Sequence, residues 1–150
     1  MTTSTGLTEK NPLVRVCSLL NKHEARYLVV GAQACILHGL VRTTEDVDIL
    51  VEESEENYQR VIAALSEMQD RAAAELMPSD IRNNVAIKVA DEVEVDVSRR
   101  AWVVTYTEAI SSSLSTDVDG MKIPHLRFYG ASRFCVGKMD EISEKINVLG

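Results

Sequence analysis

Two short acidic runs carry the residue types most able to do chemistry. Asp46-Val47-Asp48 lies in a stretch that alternates polar and apolar residues from Arg42 to Val51. Such alternation predicts a strand, whose side chains repeat every two residues. Asp46 and Asp48 then share one face, with Arg42 and Thr44 beside them if the strand reaches back that far. Val47, Ile49 and Val51 turn to the other face, toward a core. Two ionised carboxylates at this spacing repel each other. A divalent cation between them removes that penalty, and hard oxygen donors favour Mg2+ or Mn2+ over zinc. A second run, Val93-Glu94-Val95-Asp96-Val97, again sets two carboxylates on one face. If the two strands pair, three carboxylates converge, which is the equipment of two-metal phosphoryl transfer. Glu94 and Asp96 compete for the third position. There a carboxylate bridges a metal or helps take the proton from an attacking hydroxyl.

The elements around these runs must position them. Tyr27-Leu28-Val29-Val30 is a short apolar run ending in Gly31, which reads as a buried strand. Gln33 to His38 reads as a short helix that Gly39 terminates. Free amides at a helix start, beside a glycine with no side chain, suit an anion. His38 is either a residue favoured by the helix dipole or a base. Arg42 either contacts phosphate or pairs with a site carboxylate. Upstream, Asn11-Pro12 opens a helix that should end near His23. Ser54-Glu55-Glu56 opens another, with an apolar stripe of Tyr58, Val61, Ile62, Leu65 and Met68. It is read as running on to Met77, where Pro78 stops it. Val85 to Val89 and Val93 to Val97 read as a hairpin. Glu108 to Leu114 reads as a short helix, Asp119-Gly120 as a turn and Lys122-Ile123-Pro124 as an edge strand. Cys135, Met139, Ile142, Ile146 and Leu149 give the tail an amphipathic helix. Strands alternating with helices, plus one hairpin, imply an α/β (α+β) fold, a small mixed sheet flanked by helices.

Composition narrows the function classes. The chain has 150 residues and a formal net charge of −7, which fits one domain over 1–150. Residues 1–98 hold 9 Lys+Arg against 17 Asp+Glu, and the remainder 7 against 6. An acidic protein gains little from phosphate-backbone attraction, so general nucleic-acid binding is not expected. No apolar run approaches the roughly 20 residues that span a bilayer, so no membrane partner is expected. The polar start, Met1 to Gly6, has no apolar signal core and points to a cytoplasmic protein. Cys17, Cys35 and Cys135 match neither a metal spacing nor a disulfide framework and read as buried thiols.

Taken in order, three segments resemble a known family: Val30-Gly31-Ala32-Gln33-Ala34, His38-Gly39 and Arg42-Thr43-Thr44-Glu45-Asp46-Val47-Asp48. They look like the DNA polymerase β-like nucleotidyltransferase superfamily. The closer resemblance is to its small prokaryotic branch of minimal nucleotidyltransferases and abortive-infection toxin–antitoxin enzymes. The resemblance implies a nucleotidyltransferase fold and Mg2+ (or Mn2+) held by Asp46, Asp48 and Asp96. It implies that Gly31, Ala32, Gln33, Arg42 and Lys138 serve the nucleotide. The implied reaction moves a nucleoside monophosphate from an NTP to an acceptor hydroxyl on a protein, an RNA or a small molecule, releasing pyrophosphate. It also suggests a HEPN-type toxin as a partner protein. The alternative is an antitoxin-like binding module that acts by contact with its partner. The direct passage from Lys138 into Met139-Asp140-Glu141 fits that alternative.

Overall fold

The computed structural model describes residues 11–30, 46–101, 104–118 and 120–126. Its first helix, α1 (Pro12–Lys22), begins as its sequence dictates. The Asn11 side-chain oxygen accepts the N–H groups of Leu13 (2.9 Å) and Val14 (3.3 Å), and Pro12 stands in the first turn. It ends without a glycine. Glu24 takes the left-handed conformation (φ 58°) while the Ala25 N–H reaches back to the Leu20 carbonyl.

Strand β1 (Tyr27–Val30) follows, then β2 (Asp46–Val51) and helix α2 (Glu55–Leu65). Ser54 caps α2 by accepting the Asn57 N–H, and Glu55 and Glu56 occupy the positive end of its dipole. The helix does not continue to Met77. The N–H groups of Asp70 and Ala72 are taken by the Asp91 carboxylate, and that of Gln69 by Glu92. These donors are therefore withdrawn from carbonyls four residues back, and only a 3-10 turn, Ala72–Glu75, forms. Nor is Pro78 a stop. It opens helix α3 (Pro78–Arg82), because a proline at the first helical position forfeits no internal hydrogen bond.

The hairpin is β3 (Ala86–Ala90) and β4 (Glu94–Ser98), one residue later than the apolar runs suggested. The helix expected over 108–114 is instead α4 (Tyr106–Ala109) with a 3-10 turn, Ile110–Ser112. Thr105 and Glu108 cap α4 reciprocally. Leu114 already belongs to a strand, β5 (Leu114–Val118), which pairs antiparallel with β6 (Met121–His125). The segment around Lys122-Ile123-Pro124 is thus not an edge, because β5 covers it on one side and β1 on the other.

The six strands form one mixed sheet in the order β3-β4-β2-β1-β6-β5. One face carries Val29, Val47, Ile49, Val51, Val95 and Val97 into a core built with α1 and α2. The opposite face has a smaller apolar cluster of Leu28, Val30 and Leu50 beneath Ala109 and Leu126. Among the described residues no helix is long and apolar enough to cross a membrane. Cys17 is buried in the main core, where desolvation pushes its thiol up to about 12 against a smaller opposing effect of the Tyr27 hydrogen bond. Such a thiol is inert at neutral pH. Cys35, Cys135 and the helices expected over 33–38 and through the tail lie outside the described residues.

Candidate active site

The two acidic runs meet. Strands β2 and β4 are parallel neighbours, with Asp46 beside Glu94 and Asp48 beside Asp96. Residues in register on adjacent strands point to the same face, and neighbouring strands lie about 4.8 Å apart. Four carboxylates therefore share one end of the sheet face that does not carry the main core. Alternation in both runs forces this arrangement. Val47, Ile49, Val95 and Val97 are fully or almost fully buried on the other side, so the acidic residues between them must turn outward. Asp46 is exposed, whereas Asp48, Glu94 and Asp96 are half-buried.

On the far side of β2, Val30 stands opposite Asp48 at the end of β1. Strand β1 thus ends at Val30 beside Asp48, and β2 begins at Asp46. Of the residues read from the sequence, Asp48 and Asp96 are placed side by side on neighbouring strands, with Asp46 beside Glu94 one pair earlier on the same face. Gly31, Ala32, Gln33, His38, Arg42 and Lys138 lie outside the described residues.

One group on this face was not singled out in the sequence. Lys88, on β3, stands opposite Asp96. Its Nζ lies 3.4 Å from Asp96 Oδ1 and 3.5 Å from Glu94 Oε1. Asp96 first, and then Glu94, hold the Lys88 ammonium above the usual lysine range. A signal for it existed, since Lys88 is the polar residue in the apolar run that faces the acidic one. Its partner depended on register. The strands begin one residue later than their apolar runs, and the pair Ala90–Glu94 closes the hairpin, which sets Lys88 against Asp96.

Among the described residues, four carboxylates and the Lys88 ammonium stand at this end of the sheet. The donor set contains only hard oxygens, the chemistry suited to Mg2+ or Mn2+. Among the described residues no three His, Cys, Asp or Glu side chains are already gathered as a metal-holding group. Asp96 and Glu94 each direct an oxygen at Lys88.

No protein-family model and no curated protein matches this sequence. Among solved structures it is similar to a crystal structure of a Thermotoga maritima protein described as a "putative nucleotidyltransferase". The two share 15% identity and a TM-score of 0.57, over 91% of this chain and 87% of that one. At this identity the likeness is one of fold. The chain has a nucleotidyltransferase-like fold, and its two acidic strands lie side by side within it.

Proposed function

We propose that this protein is a metal-dependent nucleotidyltransferase that moves a nucleoside monophosphate from an NTP to an acceptor hydroxyl. The register Asp46–Glu94 and Asp48–Asp96 carries the reading, because it sets two local patterns side by side on one face of the sheet. Asp46 and Asp48 would hold Mg2+ or Mn2+, with Asp96 as the third ligand. The bound ion supplies charge neutralisation and acidifies the attacking hydroxyl. Asp96 would take up the hydroxyl proton. The acceptor oxygen forms a bond to the α-phosphorus as the bond to the bridging oxygen breaks, and pyrophosphate leaves with the electron pair. Gly31, Ala32 and Gln33 follow Val30, which stands next to Asp48, so their amides are the proposed phosphate cradle. Arg42 and Lys138 are the proposed cationic contacts. The toxin–antitoxin setting and a HEPN-type partner rest on sequence resemblance.

The test is calorimetric titration of ATP and GTP in Mg2+ or in EDTA. Binding should require the metal and should vanish in Asp46→Asn and Asp48→Asn, with circular dichroism unchanged. Those variants remove charge with almost no change in shape. Undiminished metal-dependent binding in both variants would refute the site. No binding by the native chain under any condition would favour a module that acts through protein contact.

A further inference from the structure

We propose that Lys88 is a built-in counter-cation that competes with the divalent metal at the Asp96–Glu94 side of the site. The metal then binds weakly alone and loads best together with a triphosphate. This rests on the metal site of the proposed function. Three observations carry it. First, the ammonium bridges two carboxylates on neighbouring turns of the pleat, at 3.4 and 3.5 Å. A cation ligated by Asp96 would have to share that space with a like charge, which is unfavourable at such separations. Second, the Lys88 side chain is 52% exposed while that of Asp96 is 32% exposed, so the lysine is the partner that solvent can receive. Third, the residues flanking Lys88 on its own face of β3 are Ala86 and Ala90, which place no bulky side chain against its stem. The ammonium can therefore withdraw without repacking the core. An arriving triphosphate brings anionic oxygens to which a displaced ammonium can donate.

The experiment is Mn2+ titration of the full chain, followed by the electron paramagnetic resonance of free Mn2+. It is done without nucleotide and with a non-cleavable α,β-methylene ATP. Lys88→Met should tighten Mn2+ binding without nucleotide by about three- to fivefold, the size expected for releasing a half-exposed ion pair. Lys88→Arg, which keeps the charge, should stay within about twofold of the native chain on the same scale. With the nucleotide analogue the advantage of Lys88→Met should disappear. Unchanged or weaker Mn2+ binding by Lys88→Met without nucleotide overturns the inference. If Asp48→Asn still abolishes Mn2+ binding in that case, the metal site itself stands. If no variant and no native chain binds Mn2+ with or without the analogue, the metal site and the inference fall together.

Discussion

The Asp91 carboxylate accepts the backbone N–H groups of Asp70 (2.8 Å), Ala72 (2.8 Å) and Glu92 (2.6 Å). Burial pushes this carboxyl up, but the three donors outweigh it and hold the group below its usual range. A depressed folded value means the carboxylate adds stability above the unfolded pKa of about 3.9. That contribution is lost as pH falls through the folded value. Asp91→Asn should therefore be less stable than the native chain at pH 7, by about 1–2 kcal/mol. The gap should close as pH drops below about 4. Urea unfolding across pH 2.5 to 7 (roughly the span of carboxylate titration) checks this. A gap that does not vary with pH would show that the charge is not what Asp91 contributes. In the sequence Asp91 was legible as a turn residue. Its donors Asp70 and Ala72, 21 and 19 positions earlier, were not.

Besides its apolar packing on the sheet, helix α2 is tied to the strand ends by a buried amide. Asn57 accepts the Arg26 N–H (2.7 Å) and donates to the carbonyls of Arg26 (3.0 Å) and Glu52 (3.1 Å). It thereby ties the start of β1 and the end of β2 to the first turn of the helix. Asn57→Ala should cost about 2–3 kcal/mol, since it leaves buried backbone groups unpaired. Asn57→Asp should be no better, because a carboxylate would face two carbonyl oxygens without a donor. Denaturant midpoints of the two variants test this, and native-like stability of Asn57→Asp would refute the hydrogen-bond assignment. The start of α2 was readable from Ser54 and the two glutamates, which act within one turn. Its end was not. Apolar spacing continues past Leu65, but the Glu67 and Met68 N–H groups bond three residues back, and Asp91 and Glu92 of a distant hairpin take those of Gln69, Asp70 and Ala72. The same holds for β5. Its residues, Leu-Ser-Thr-Asp-Val, have weak strand character and pair only because β6 lies alongside.

Across the molecule the sheet separates two tasks by its faces. Ile49 is fully buried among the residues that pack on α1 and α2, while Asp48, one position earlier, faces the carboxylate cluster. Ile49→Ala should destabilise the fold by about 2–5 kcal/mol through lost burial and a cavity. It should leave Mn2+ affinity within about twofold at temperatures where the variant is folded, because successive side chains of a strand point to opposite faces of the sheet. Thermal unfolding and Mn2+ titration of the same preparation measure both. A loss of affinity as large as that of Asp48→Asn would show that the two faces are not independent.

Strand periodicity is local, so the pairs Asp46 with Asp48 and Glu94 with Asp96 each had to share a face once their runs were extended. The caps at Asn11 and Ser54, the buried strand ending at Val30 and the existence of the hairpin were set equally locally. Which strands became neighbours was not. The meeting of Asp48 with Asp96, the placement of Lys88 against that same Asp96 and the covering of β6 by β5 depend on pairing and register. Those come from burying Val47, Ile49, Val95 and Val97 against helices elsewhere in the chain. Contacts between segments that distant leave no period in the sequence. For that reason the carboxylates could be read from the residues, while the pairing of Lys88 with Glu94 and Asp96 appeared only in the folded sheet.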